Sequence, residues 1–271
     1  MEGKHLSFSL DFIVIGCRKT GSTWLYENCR THPSICVSDL VKESNFFSTK
    51  FELGINWYQA LFEPKPGQIC GEIDPSLITH ALSAEQLHSV FRNIKIIVML
   101  RDPADLFFSS YRVAKKDGDI KCSPEEAWDS VPTFKHEAMI FERLKPYLKR
   151  FDKSQFLFIH YHDLLNDPET FFAHICAFLD VDIHIDPSTL HSKVNVAADS
   201  RLPWLTIAIK RFTRILHKHS LYHIVNWGKS LGLKKLLFRA PVENTLRPAL
   251  RSRIMNDLED DIQHLANLIS L

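Results

Sequence analysis

Four residues held between two glycines, Gly16 and Gly21, carry the densest chemistry in the sequence. Arg18 and Lys19 bring positive charge, Thr20, Ser22 and Thr23 bring hydroxyls, and the glycines permit a sharp reversal of the backbone. Phe12, Ile13, Val14 and Ile15 lead in as a short buried strand, and Trp24, Leu25 and Tyr26 open a helix on the far side. Backbone N–H groups at a helix start have no acceptor within the helix and sit at the positive end of its dipole. Strand, polar loop and helix together therefore form an anion site that suits a phosphate. Cys17 lies inside this loop, where cations could lower its pKa, although a thiol at the end of a buried strand reads first as an inert core residue.

Other positions could join it. Glu43, in Lys42-Glu43-Ser44-Asn45-Phe46-Phe47, is a carboxylate ahead of an aromatic pair that should anchor the backbone in the core; taken alone it reads as a solvated loop residue. Arg101 ends an apolar run and Ser109 lies about two turns into the helix that follows, the place where open α/β sheets bind ligands. Ser109 and Arg112, three residues apart, share a helix face. Histidines do not group for a metal: His217, His219 and His223 do not fall on one helix face.

The elements that must hold these groups read as alternating strands and helices. Strands are expected at Ile35–Val37, Gln68–Glu72, Ile94–Leu100 and Phe156–His160, the third a near-continuous apolar run suited to burial on both faces of a parallel sheet. A short helix is expected within Gly54–Phe62, and Ser83-Ala84-Glu85-Gln86 matches a capping box for a helix through Phe91. Pro103 suits a first helical turn, Lys115–Ser123 reads as a surface loop, and Ser123-Pro124-Glu125-Glu126 starts another helix. Phe134–Phe151 predicts one long amphipathic helix, and Asp163–Pro168 leads to a helix through Leu179. The fold class is thus α/β, a P-loop-like parallel sheet flanked by helices, arranged as a single domain with a helical basic C-terminal insert.

A chain of 271 residues, 45% hydrophobic and 24% charged with a net charge of +1, fits one large globular domain rather than a disordered or membrane-embedded chain. The N-terminal apolar run is too short for a signal or anchor, which predicts a cytoplasmic protein. Six cysteines without a C-x-x-C pair are expected as free thiols. The core spans about residues 10–196, a basic helical insert about 200–240, and a C-terminal helix about 248–271, with Ile254, Leu258, Ile262, Leu265 and Leu268 along one side. Between Arg201 and Ala240 nine Lys or Arg occur with no Asp or Glu. That is a solvated face, or a contact for an anionic acceptor, a partner or a membrane surface.

In the Walker A pattern G-x-x-x-x-G-K-[ST] the lysine follows the second glycine, whereas here Ser22 takes that place and Lys19 sits inside the loop. This displaced form resembles the 5′-phosphosulfate loop of sulfotransferases that use 3′-phosphoadenosine 5′-phosphosulfate (PAPS). The segment from Leu100-Arg101-Asp102-Pro103 through Ser109-Ser110-Tyr111 is similar to their second nucleotide-binding segment. KESNFF and GEIDPSLI (Gly71 to Ile78) resemble segments of the Golgi carbohydrate sulfotransferases and their soluble bacterial relatives, as does HYHDLLNDP. The resemblance covers residues 12 to about 196.

It implies that Lys19 holds the bridging oxygen and the 5′-phosphate, with Arg18, Thr20, Gly21, Ser22, Thr23 and Trp24 lining that site. It implies that Arg101 and Ser109 bind the 3′-phosphate and that Glu43 is the general base, with PAPS as co-substrate, PAP as product and no metal. No nucleic acid partner is expected, and the oligomeric state is left open. Ile73 replaces a lysine that several glycan-modifying relatives carry after GE, Asn45 replaces a histidine of KE-x-H-FF, and Arg112 replaces the histidine base of aryl and steroid sulfotransferases. The first two departures tell against a heparan-like polymer and the third against the aryl and steroid mechanism; with no membrane anchor expected, the acceptor is expected to be a small hydroxylated metabolite or saccharide, with a lipid-linked acceptor open through the basic insert. A Mg²⁺-dependent nucleotide kinase and a nucleotide-binding interaction module are the rival readings; against the first, no apolar strand ends in a lone metal-binding Asp, since Arg101 precedes Asp102.

Overall fold

The computed structural model describes residues 8–186, 199–200, 238–239 and 245–270. The basic run 201–240, but for 238–239, and the segment Lys193–Val196 lie outside the described residues, and with them the helical reading of the insert. The chain divides into two compact units, one from Met1–Arg101, Ile140–Val194 and Asp261–Leu271, the other from Asp102–Met139 and Asn195–Asp260.

The first unit is built on five strands, β1 (Phe12–Gly16), β2 (Ile35–Cys36), β3 (Ile69–Ile73), β4 (Lys95–Leu100) and β5 (Phe156–His160). They are all parallel and ordered β2-β3-β1-β4-β5. Phe12 pairs with Gly71 on one side and with Lys95 on the other. The order leaves β1 at the centre with its neighbours reached in opposite directions, so the carboxyl ends of β1 and β4 flank the crevice where such sheets bind ligands. Phe12–Ile15 and Ile96–Met99 are wholly buried, which is why both runs are continuously apolar rather than alternating.

Among the described residues the helices in chain order are α1 (Ser22–Thr31), α2 (Ile55–Gln59), α3 (Ser83–Val90), α4 (Pro103–Asp117), α5 (Pro124–Ser130), α6 (Pro132–Ala138), α7 (Ile140–Leu148), α8 (Tyr161–Asn166), α9 (Pro168–Leu179), α10 (Pro248–Asp257) and α11 (Glu259–Ile269). Trp24 and Leu25 of α1 and Phe171, Phe172 and Ile175 of α9 pack with Val14, Ile97 and Met99 in the main core. Trp24 meets the rings of Phe171 and Phe172 edge-on at 6.1 and 6.0 Å. All six cysteines are free and five are buried, Cys17 among them. Among the described residues no helix is long and apolar enough to cross a membrane.

Several boundaries differ from expectation. Helix α1 starts at Ser22, two residues before Trp24, and Phe46–Lys50 forms a single π turn after the left-handed Asn45. Ser83 does not cap α3; Leu82 stands at the cap and Ser83 is already inside the helix, fully buried. The run Phe134–Phe151 is two helices, because the buried carboxylate of Asp261 accepts from the amides of Phe141 (3.0 Å) and Glu142 (2.9 Å) and so caps a fresh helix start. Likewise the C-terminal helix is interrupted at Leu258.

In the second unit α4 enters on Pro103 with Asp102 as its cap, the carboxylate accepting from the Asp105 amide at 2.9 Å, and it runs on to Asp117, past the start of the expected loop. Ser123 and Glu126 form the expected capping box of α5. Phe107 of α4 packs edge-on against Trp128 (5.1 Å) and Phe134 (5.3 Å). The Trp128 indole donates to Asp257 of α10 at 2.8 Å, and Arg253 grips Asp129 with two nitrogens.

Candidate active site

Gly16 closes β1 with φ +126°, and a Cβ there would stand 2.3 Å from the Met99 carbonyl oxygen of β4. Only glycine lets the strands stay in register while the chain turns away. The Cys17 amide donates to that same Met99 carbonyl at 2.8 Å, and the buried Thr20 hydroxyl donates to the Cys17 carbonyl at 2.7 Å. These bonds fold the loop on itself and leave Arg18 and Lys19 exposed at its tip, Lys19 with a left-handed backbone. Gly21, at φ +81°, is the cap residue of α1; a Cβ there would meet Leu164 of α8 at 2.4 Å.

The first turn of α1 therefore receives no capping side chain and contains no acidic residue. A helix start without a capping side chain or a nearby acid carries the positive end of the helix dipole, a field that favours an anion. Arg101, one residue past β4, donates to the Lys19 carbonyl at 2.5 Å and lies 4.9 Å over the Tyr161 ring of α8. Its Nε is buried without a hydrogen-bond partner among the described residues.

Lys42 ties the loop to Glu43. Its ammonium donates to the Ser22 hydroxyl at 3.1 Å and to the Glu43 carboxylate at 2.6 Å. The Glu43 side chain is about a third exposed, at 37%, enough to reach a ligand. Behind it lies a buried acidic pair from the carboxyl end of β3. Glu72 accepts from the Ser44 amide at 2.7 Å and from the Tyr58 hydroxyl at 2.6 Å, while Asp74 accepts from the Ser76 amide at 3.0 Å and the Ser76 hydroxyl at 2.5 Å. The second Asp74 oxygen is buried with no hydrogen-bond partner among the described residues.

Burial holds the Glu72 carboxyl above the usual carboxylate range; the Ser44 and Tyr58 hydrogen bonds pull the other way, and the Glu43 charge adds to the rise. Asp74 is pushed up to about 7 by burial and then by the charges of Glu72 and Glu43. Tyr58 is raised well above its ordinary value by burial and by Glu72.

The predicted residues Lys19 and Arg101 are thus joined by a hydrogen bond, and Ser22 and Glu43 by a shared lysine. Thr23 and Trp24 fall in the first turn of α1, Trp24 buried in the core. Ser109 lies half-buried on α4, in the second unit. Ile73 is fully buried in the main core, so in this chain the position after GE packs rather than meets a ligand. Asn45 supports its own turn, its amide donating to the Glu43 carbonyl at 3.1 Å.

Lys42, Glu72 and Tyr161 were not singled out from the sequence. For Glu72 a signal exists: a carboxylate inside an otherwise apolar strand has to find buried donors.

Residues 9–198 match the family described as Sulfotransferase domain. The chain is 35% identical over 115 residues to the membrane-associated sulfotransferase kil1 of Dictyostelium discoideum, covering 41% of this chain and 24% of that protein. It is 27% identical over 170 residues to mouse heparan sulfate glucosamine 3-O-sulfotransferase 3B1, covering 58% and 42% respectively, so it spans less than half the length of either curated relative. Among solved structures, a sulfotransferase from Alicyclobacillus acidocaldarius superposes with a TM-score of 0.60 at 20% identity, over 80% of this chain and 96% of that one, which shows the shared fold. With its displaced loop lysine, parallel sheet and matched span of 9–198, the chain belongs to the sulfotransferase domain family.

Proposed function

We propose that the protein transfers a sulfuryl group from PAPS to a hydroxyl or amine of a small metabolite or saccharide. The observation that carries this reading is the chain of contacts from Ser22 through Lys42 to Glu43, which couples an anion-binding loop to a carboxylate about a third exposed. Transfer is an in-line displacement at sulfur: the acceptor oxygen or nitrogen forms the new bond to sulfur, and the bond to the bridging oxygen breaks with its electrons going to the 5′-phosphate of PAP. Lys19 and the α1 amides stabilise the charge that grows on that oxygen. Glu43 takes the acceptor's proton, needing an approach of about 3 Å.

Arg101 and Ser109 bind the 3′-phosphate, the roles that the resemblance to PAPS-dependent sulfotransferases implies for them. The relatives named for heparan sulfate glucosamine support a saccharide acceptor. The loss of lysine at Ile73 and of histidine at Asn45 favours one other than the heparan polymer.

The test is transfer of labelled sulfate from PAPS, with EDTA present, across a panel of hydroxylated metabolites and amino- and neutral saccharides, read by a mass gain of about 80 Da for added SO₃. Activity that requires ATP and Mg²⁺ instead would overturn the proposal, and PAP binding with no turnover across the panel would favour a nucleotide-binding module.

A further inference from the structure

Glu72 is buried and carries no cation among its hydrogen-bond partners, which are an amide and a phenol. A carboxylate in such a place is costly to keep, so its two bonds should serve something other than packing. One of them goes to the backbone of Ser44, the residue directly after Glu43. Ser44 is itself buried, its hydroxyl accepting from the Phe46 amide at 3.0 Å, and the next residue, Asn45, turns the chain with φ +58°. The Glu43 backbone is therefore pinned on its C-terminal side by the sheet, while its carboxylate is held on the other side by Lys42.

Tyr58 completes the clamp. Its hydroxyl saturates the second Glu72 oxygen at 2.6 Å, and its ring stacks on Phe46 at 4.6 Å, fixing the same segment from above.

We propose that Glu72 is a positioning residue for sulfuryl transfer: by gripping the Ser44 amide from the end of β3 it sets the direction in which Glu43 presents its carboxylate to the acceptor. This rests on Glu43 being the general base. The consequence is a loss of rate without loss of nucleotide affinity, because the hydrogen bonds of Glu72 go to Ser44 and Tyr58, both outside the loop at 16–23. Misplacing a reacting group by about 1 Å costs on the order of 10²-fold in rate.

The experiment compares Glu72→Met, which keeps the length of the side chain and removes the acceptors, with Glu72→Gln, which keeps an acceptor for Ser44 and a partner for Tyr58. Turnover is read as PAP release from PAPS with the acceptor that scores highest in the panel, affinity by PAP titration, and the clamp by hydrogen exchange of the Ser44 amide. Glu72→Met should lower turnover about 10- to 100-fold, leave PAP affinity within about twofold and speed Ser44 exchange at least about tenfold. Glu72→Gln should recover most of each loss. In a Glu43→Gln background, adding Glu72→Met should cost little more, since there is no base left to aim.

Normal turnover in Glu72→Met, equal losses in Met and Gln variants, or a full additive loss in the double variant would overturn the positioning role while leaving Glu43 as base. Normal turnover in Glu43→Gln alone would overturn the base reading and this proposal with it. Should Glu72→Met fail to bind PAP or to melt cooperatively, Tyr58→Phe decides: about a threefold fall in turnover at unchanged PAP affinity supports the clamp, and unchanged turnover refutes it.

Discussion

Replacing Asp74 with asparagine should change how stability depends on pH, and the sign follows from the site. Asp74 is wholly buried, one of its oxygens has no hydrogen-bond partner among the described residues, and its carboxyl is pushed from an ordinary 3.8 to about 7 by burial and by the charges of Glu72 and Glu43. Between those values the native state keeps a proton that the unfolded chain has already released, so the native protein loses stability as pH rises through the window. Above about 7 the penalty is fully present and constant. The displacement corresponds to about 4 kcal/mol.

Asparagine has the shape of the neutral carboxyl, keeps an acceptor for the Ser76 amide and hydroxyl, and never ionises. Asp74→Asn should therefore match the wild type only below about pH 4, gain on it steadily as pH rises, and exceed it at about pH 8 by roughly 2–4 kcal/mol. At about 2–4 °C per kcal/mol for a chain of this size, that is several degrees in melting temperature. Melting curves of both proteins across that range, in one buffer system of fixed ionic strength, give the comparison. Parallel curves, or a variant less stable than wild type at the alkaline end, would refute the argument that a buried proton sits on this group.

Other outcomes follow from the same geometry. Glu43→Gln should leave PAP affinity nearly intact while lowering turnover by about 10²- to 10⁴-fold, and near-normal turnover would remove Glu43 from the mechanism. Arg101→Ala removes a guanidinium that carries an unused buried donor, so PAP titration should show affinity weaker by about tenfold or more; unchanged affinity would tell against its phosphate role. Gly16→Ala would set a methyl 2.3 Å from the Met99 carbonyl at a backbone angle that side chains avoid. A loss of at least about 1–3 kcal/mol in denaturant unfolding is expected, and a fully stable variant would mean that the strands can part at that point.

Local chemistry made much of this protein legible in advance. The continuous apolar runs of β1 and β4 announce a buried parallel sheet, the glycines at 16 and 21 announce turns with positive φ, and the capping box at Ser123 forms as written. All of these depend on residues within a few positions of one another. The capping box at Ser83 satisfied the same local rule and failed, because burial of Ser83 moved the helix start to Leu82. The long helix expected over Phe134–Phe151 failed because a carboxylate about 120 residues away in sequence supplies a second helix start.

The site divides along the same line. Sequence by itself determined the form of the loop at Gly16–Gly21, since a strand, two glycines, a displaced lysine and a helix start need only each other to make that turn. It also marked Arg101 at a strand end and Glu43 beside its aromatic pair. Only the tertiary structure decided that Lys42 would bridge Ser22 to Glu43 across 20 residues and that Glu72 would grip Ser44 across 28. It also decided that Ile73 would face the core. Hydrogen bonds of 2.6 to 3.1 Å require groups to be placed to within a fraction of an ångström, and in a parallel sheet that placement is set by register between strands whose separation in sequence carries no local signature.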